Sequence, residues 1–177
     1  IQADLILTSP SGKMRPDQLK LAQNLVRDLP VVFVMIAETT ASENLPDQDR
    51  LVTEQYTMLG LDTIALANLS YHDPDALANR ARASFGDTSL ADPLAPSAVG
   101  GVLISETLAR KKQLQRGDSL NLIIDDQVRT LRIMHVAPDQ VFRVSQPASI
   151  LFTDLVSLQK MLGTGQSFDR IEVFIPP

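Results

Sequence analysis

The segment Gly100–Ile124 constrains the fold of this chain most, because it has the pattern of a strand, a capped helix, a turn and a second strand. Val102–Ile104 is a short apolar run, and Ser105 after it can accept hydrogen bonds from the free N–H groups of a helix. Gly117–Asp118 is a typical turn dipeptide, and Ser119–Ile124 resumes a strand. The pattern predicts architecture and indicates no catalysis.

Charged side chains in the same segment agree with a helix between the two strands. Glu106 lies in the predicted first turn, where a negative charge complements the helix dipole. Three cations, Arg110, Lys111 and Lys112, lie toward the other end of the helix, where the dipole favours positive charge. From the sequence, the stability of the helix alone accounts for these three cations.

The rest of the chain alternates between predicted strands and helices, which indicates an α+β fold. Further strands are predicted at Asp4–Ser9, Val31–Ala37, Leu51–Leu61, Val128–Val136, Ile150–Thr153 and Arg170–Ile175. Further helices are predicted at Pro16–Leu29, Asp73–Phe85 and Asp154–Leu162. A tight hairpin turn is expected at Asp125–Asp126 or Asp126–Gln127. Leu45–Asp49 is expected to be a polar connection.

Composition excludes several classes of function. The 177 residues include 21 acidic and 16 basic side chains, so a net charge of -5 argues against nucleic acid as a partner. The absence of cysteine excludes disulfides, thiolate metal sites and a cysteine nucleophile. No run approaches the roughly 18 to 20 apolar residues that span a bilayer, and the first residues do not have the pattern of a signal peptide.

Candidate chemical motifs are weak throughout. His72 and His135 have no partner at metal-binding spacing, and the glycine clusters form neither a Walker loop nor a dinucleotide loop. No activated serine motif is present. Arg116–Asp118 spells an adhesive tripeptide, but a helix-to-strand turn explains its glycine and aspartate. The sequence therefore predicts no catalytic residue, no metal ligand and no cofactor.

The candidate interaction surface consists of apolar residues in unexpected places. Val141, Phe142 and Val144 lie between two prolines in a stretch that otherwise has the composition of a loop, and Met14 lies between two cations. The three loop residues either pack onto the core or form an exposed patch for a partner or a lipid headgroup. Both interpretations are open from the sequence, and Met14 is a weaker candidate for the same patch.

The segment Gly100–Ile124 resembles the periplasmic domain of ABC transporter permeases of the MacB/FtsX type, where a V-x-I/V-S-x-x-L-A-x-x-x-x-L-x-x-G-D-x-L-x-L pattern recurs. Ala3–Leu7 resembles the A-D-L-x-V strand that follows their first membrane span. Ile150–Ile175 resembles their strand, L-x-x-x-Q-x-L-L-G helix and D-x-I-x-V strand. The residues that match the longer pattern in register are Val102, Ser105, Leu108, Ala109, Leu114, Gly117, Asp118, Leu120 and Leu122.

The resemblance implies a porter-like lobe with a mixed or antiparallel sheet and packed helices, formed by residues 1–70 and 146–177. It also implies a smaller inserted α/β lobe at 71–145. The family usually continues beyond the position of Pro176–Pro177 with another helix and strand. We therefore expect a porter-like lobe that is incomplete at its C-terminus, with membrane spans outside both ends.

The resemblance also implies a function: an extracytoplasmic domain that relays ATP-driven conformational change to a substrate or partner outside the membrane. It implies that ATP is hydrolysed on a separate cytoplasmic subunit or domain, and that the full protein lies in the inner membrane with this domain in the periplasm. The implied partners are that ATPase, a second permease copy, and a periplasmic adaptor, carrier or hydrolase regulator. The isolated domain is expected to be monomeric or weakly associating. The tight turn at Asp125–Asp126 departs from the lipoprotein-releasing branch, which has an extended carrier-recruiting loop there.

Two other classes of protein make different predictions. A stand-alone periplasmic α+β binding module for a small ligand or a protein is the main alternative, and as a small-ligand binder it predicts a deep apolar pocket with a few convergent polar groups. An enzyme predicts a cleft in which titratable side chains are hydrogen-bonded to one another.

Overall fold

The computed structural model describes residues 4–26, 31–46, 51–62, 65, 101–142 and 145–175. Within these ranges eight strands form one mixed sheet with three α-helices, which confirms the α+β class. The strands are β1 (Leu5–Thr8), β2 (Val32–Pro46), β3 (Leu51–Leu61), β4 (Gly101–Ser105), β5 (Ser119–Ile124), β6 (Gln127–Ala137), β7 (Ile150–Asp154) and β8 (Arg170–Phe174). The helices are α1 (Pro16–Leu25), α2 (Glu106–Lys112) and α3 (Leu155–Leu162), with short 3-10 helices at Asp139–Val141 and Pro147–Ser149.

Strand β2 organises the sheet because its partner changes along one edge. Val32–Ile36 pairs antiparallel with β8, whereas Ala41 and Ser42 on the same edge pair with Ile124 and Ile123 of β5. The opposite edge of β2 pairs with β3 from Ile36 to Pro46. The strands β2, β3, β7, β4, β6 and β5 therefore close into a six-stranded barrel, and β8 and β1 extend the sheet beyond it.

Among the described residues, a main hydrophobic core and two smaller buried clusters hold this arrangement together, and the main core is the largest. Its fully buried side chains come from strands and helices on both sides of residue 145, so β4–β6 and β7 belong to the same packed body. Large fully buried members are Met58, Ile104, Leu122, Ile133, Leu151, Leu158 and Phe168. The proposed lobe boundaries stay a prediction, and residues 66–100, with the predicted helix at Asp73–Phe85, lie outside the described residues.

The segment Gly100–Ile124 folds as predicted over its described part. The Leu108 N–H donates to Ser105 Oγ at 3.1 Å, so the serine caps α2. The helix ends at Lys112, and Gln113, not a glycine, adopts the left-handed conformation that follows it, at φ 55°. Gly117 has φ 98° in the turn before β5, a value that favours glycine.

Two predictions about the hairpins have different outcomes. The turn between β5 and β6 consists of Asp125 and Asp126, both with positive φ, as in a type I′ turn. The prediction that the second strand ends at Ala37 is wrong, because β2 continues to Pro46 and so includes the first residues of the connection expected at Leu45–Asp49. The polar second half of β2 remains extended because β3 pairs with all of it.

Helix α3 packs directly against β3. Asp154 caps the helix by accepting from the Ser157 N–H at 2.8 Å, and Gly163 ends it in the left-handed region at φ 63°. Across the interface a Cβ at Gly60 would lie 2.9 Å from Leu158 Cβ and 2.9 Å from Leu158 Cδ2. The absence of a side chain at Gly60 therefore sets the distance between β3 and α3.

Replacing Gly60 by alanine should destabilise the protein by about 2 kcal/mol, because overpacking forces the buried Leu158 or its helix to move. Urea unfolding followed by circular dichroism measures the change. Alanine is otherwise preferred to glycine inside a strand. An unchanged or higher free energy of unfolding in Gly60→Ala would therefore contradict the close approach.

Candidate functional site

Two members of the predicted interaction surface lie in the interior. Phe142 is 5% exposed and stacks on Phe152, with ring centroids 5.0 Å apart, in a cluster with Leu103 and Ala137. Met14 is also 5% exposed, and its backbone exchanges two hydrogen bonds with Phe168. The structure therefore shows core packing at both residues where an exposed patch was considered.

The physical reason for the burial of Phe142 is the path of the chain after β6. Asp139 accepts hydrogen bonds from the N–H and the Oγ1 of Thr107 at the start of α2, which lowers the pKa of Asp139. The 3-10 helix at Asp139–Val141 then directs Phe142 onto Phe152. The side chain of Val141 and all of Val144 lie outside the described residues, so their role stays a proposal.

Other motifs in the sequence have structural roles where the structure describes them. The Gly117 N–H donates to Ile133 O at 2.8 Å, and Asp118 Oδ2 accepts from the Gln115 N–H at 2.8 Å, so the tripeptide Arg116–Asp118 forms the turn into β5. His135 is half-buried in β6, opposite Leu103 of β4, and His72 lies outside the described residues. Among the described residues, no group of three or more acidic or histidine side chains could hold a metal ion.

The most concentrated group of charges joins α2 to the β2–β3 hairpin, and we call it the ion cluster: Glu43, Glu54, Tyr56, Lys111 and Lys112. Lys112 Nζ lies 2.6 Å from Glu43 Oε2 and 2.8 Å from Glu54 Oε2. Lys111 pairs with the other oxygen of Glu54. Tyr56 Oη donates to Glu54 Oε2 at 2.7 Å and lies 3.1 Å from Glu43 Oε2.

These contacts fix the protonation states of Glu54, Tyr56 and Lys112. Hydrogen bonds from Lys111, Lys112 and Tyr56 lower the pKa of Glu54 to about 2. Burial raises the pKa of Tyr56 far above its ordinary value, so the phenol remains a donor. Burial also favours neutral Lys112, but its hydrogen bonds to Glu43 and Glu54 outweigh this and raise its pKa. The cluster is therefore a fixed ionic clamp near neutral pH, without a group poised for proton transfer.

The ion cluster was not predicted from the sequence, although a signal for it was present. Glu43 and Glu54 are directly opposite in the β2–β3 register, where like charges destabilise a sheet unless a cation lies between them. Glu54 and Tyr56 are two residues apart in β3, so their side chains lie on the same face of the strand. The hairpin register would have predicted the acidic pair, but not that Lys112, nearly sixty residues later, neutralises it.

An open groove of about 1060 Å³ lies beside the start of α1. Its lining is largely polar, and Lys13 at its edge pairs with Asp169 at 2.6 Å. The lining residues are Ser11, Lys13, Arg15, Pro16, Asp17, Gln18, Thr164, Gln166 and Ser167. Among the described residues, Pro16 is the single apolar residue in this lining, whereas small-ligand pockets are lined mainly by hydrophobic and aromatic side chains. Within the described ranges, none of the helices is long and apolar enough to cross a membrane.

Comparison with known proteins gives matches at the level of structure. No protein-family model and no curated protein matches the sequence. The periplasmic region of MacB from Actinobacillus actinomycetemcomitans superposes with a TM-score of 0.51 at 11% identity, over 96% of this chain and 66% of that one. The extracellular domain of the noncanonic ABC-type transporter YknZ from Gram-positive bacteria superposes with a TM-score of 0.53 at 10% identity, over 97% and 82%. The fold is that of MacB-type periplasmic domains.

This MacB-type fold agrees with the resemblance carried by Gly100–Ile124. With identities of 10% and 11%, the similarity is one of fold. The chain spans just under two thirds of the MacB region it matches. The ion cluster lies on this fold as a structural element, and it is the best-defined polar site in the described part of the chain.

Replacing Lys112 by methionine should lower the free energy of unfolding by about 2 kcal/mol, because two acidic side chains then face each other without their shared cation. Lys111→Met is the matched control, one residue earlier in the same helix. The Lys111 side chain is 57% exposed against 11% for Lys112, so its loss should cost less than about 1 kcal/mol. Equal losses in urea unfolding would contradict the central role of Lys112.

The ion cluster also predicts a pH dependence of stability. The pKa of Glu54 is about 2 in the folded state against an ordinary 4.5, so its stabilising contribution is complete above pH 4.5 and is lost as the pH falls toward 2. Glu54→Gln should therefore flatten the decline in the free energy of unfolding across this window. Parallel pH profiles of the two proteins would contradict the assignment.

Proposed function

We propose that this chain is the extracytoplasmic domain of an ABC transporter permease, inserted between two membrane-spanning helices of the full protein. Its fold is shared by the periplasmic region of MacB and by the extracellular domain of an ABC-type transporter. The full protein would lie in the inner membrane, with this domain in the periplasm or otherwise outside the cytoplasmic membrane.

The placement of the first and last described residues carries this proposal. Strands β1 and β8 are antiparallel neighbours, so the first and last described residues lie side by side. The Asp4 N–H donates to Val173 O at 2.9 Å, and the Ile175 N–H donates to Asp4 Oδ2 at 2.8 Å. A domain inserted between two neighbouring membrane helices requires ends that lie side by side, and this geometry supports the insertion.

The proposed activity is mechanical. A closed barrel whose strands share a continuous main core would move as a body, which suits a domain that relays movement from the membrane. ATP hydrolysis would occur on a separate cytoplasmic subunit or domain, and the domain itself would not be an enzyme. Its partners would be that ATPase, a second permease copy, and a periplasmic adaptor, carrier or hydrolase regulator.

The topology is tested with a single cysteine at Val128, which is 73% exposed in the β5–β6 hairpin of a chain that contains no cysteine of its own. Any cysteines outside this chain are first replaced in the full protein. A membrane-impermeant maleimide should then label Val128→Cys in cells whose outer membrane is permeabilised and whose cytoplasmic membrane is intact. The protein should also stay with membranes after alkaline extraction. Labelling only after lysis, or release by alkali, would contradict the proposed topology.

The relay is tested with a nitroxide on the same cysteine. In the reconstituted transporter, ATP binding should change the distance distribution between the Val128 labels of two permease copies. A distribution that is identical with and without ATP, in a preparation that hydrolyses ATP, would contradict the relay but not the topology.

A further inference from the structure

The β2–β3 hairpin continues past the barrel as a pair of strands. The pairing of β5 with β2 ends at Ser42, and the pairing of β7 with β3 begins only at Thr57. Beyond these positions four residue pairs remain, which we call the arm: Glu43–Glu54, Asn44–Thr53, Leu45–Val52 and Pro46–Leu51. Within the described residues no third strand pairs with the arm. Two strands alone are marginally stable in water, so the arm needs support from outside its own ladder.

The last turn of α2 gives this support. Lys112 Nζ lies 2.6 Å from Glu43 Oε2 and 2.8 Å from Glu54 Oε2, so it binds one carboxylate from each strand of the arm. The Lys112 side chain is only 11% exposed, so solvent ions screen these two pairs weakly. In the part of the chain that the structure describes, only Lys111 and Lys112 join a side chain of the arm to a residue outside the hairpin by an ion pair.

Helix α2 is itself anchored by contacts that do not involve the arm. Ser105 caps its first turn, and the Thr107 N–H donates to Asp139 Oδ1 at 3.0 Å. Leu108 and Ala109 are buried in the main core. Because the helix is held independently, Lys112 has a fixed position to which the arm attaches.

We propose that the ion cluster is a latch that makes the pairing of the arm conditional on the position of α2. With Lys112 in place, both carboxylates are neutralised and the four pairs of the arm persist. When α2 withdraws, Glu43 and Glu54 face each other across the hairpin, where like charges destabilise the pairing. The arm then opens while the barrel stays closed, as a local unfolding event.

The latch works in both directions because a coupling free energy between two elements is reciprocal. A partner that binds the paired arm also holds the last turn of α2 in place, and any displacement of α2 releases the arm. The latch is a property of this domain and does not depend on the proposed function.

Hydrogen exchange of the 177-residue chain, followed for each amide by NMR, tests the latch. In Lys112→Met the amides of the arm should exchange within about tenfold of the rate of an unfolded peptide, because the open arm is then well populated. The amides of residues 36–40, in the same hairpin but inside the barrel, should stay protected by more than about a hundredfold, since they exchange only when the whole domain unfolds.

Two further variants separate charge neutralisation from simple packing of the lysine. Lys111→Met is the matched control, and its arm should stay protected because the Lys111 side chain is 57% exposed. Adding Glu43→Gln to Lys112→Met removes the repulsion between the carboxylates. The double variant should therefore regain roughly two- to fivefold of the lost protection.

The reverse direction is tested with Thr53→Pro, which breaks the pairing of the arm. The N–H groups of Gln113 and Leu114 donate to Arg110 O and Ala109 O at the end of α2. Their amides should exchange about fivefold faster in this variant, because Lys112 loses the fixed pair of carboxylates.

Four results would overturn the latch. The arm could already be unprotected in the unmodified chain, or it could stay protected in Lys112→Met. Arm and barrel could also lose protection to the same level in Lys112→Met, in which case Lys112 supports the whole domain and latches no arm. Unchanged exchange at Gln113 and Leu114 in Thr53→Pro would show that the arm and α2 are not coupled.

Discussion

The change of partner along one edge of β2 is the constraint on which the rest of the structure depends. On this edge, the first residues of β2 pair with β8, and a few residues later Ala41 pairs with Ile124 of β5. That short pairing closes the barrel, so the strands around the core have no free edge there. Without it β5 would be an open edge of a curved sheet, and the core residues it contributes would lose one of their walls.

The ion cluster stabilises the part of the β2–β3 hairpin that extends beyond the closed barrel. Beyond Ser42 the hairpin of β2 and β3 continues past its pairing with β5, and two strands without a third are marginally stable. Glu43 and Glu54 stand at the point where the hairpin leaves the barrel, and Lys112 binds both. The last turn of α2 thus fixes the orientation of the hairpin as well as ending its own helix.

Local features could be predicted from the sequence, and long-range features could not. The Ser105 cap and the turn at Asp125–Asp126 depend on a few neighbouring residues, and both were predicted correctly. Closure of the barrel joins Ala41 to Ile124, more than eighty residues away, and neither residue carries a local mark of that pairing. The burial of Phe142 likewise depends on where Phe152 lies in the folded sheet. The candidate surface was chosen from local composition, which leaves core packing and exposure of Phe142 both open, and only the folded sheet shows that Phe142 and Met14 are buried.

The antiparallel pairing of β1 with β8 determines how the domain responds to mechanical load. Four residue pairs join the two strands, with Leu5–Val173 nearest the ends of the chain. A force that draws the two ends apart acts across the strands, so it opens these pairs in sequence like a zipper, with little resistance at any moment. A force that moves both ends together leaves the ladder unstrained and displaces the barrel as a whole. The β1–β8 ladder therefore resists a movement that separates its two outer ends less than it resists a movement that carries both ends together.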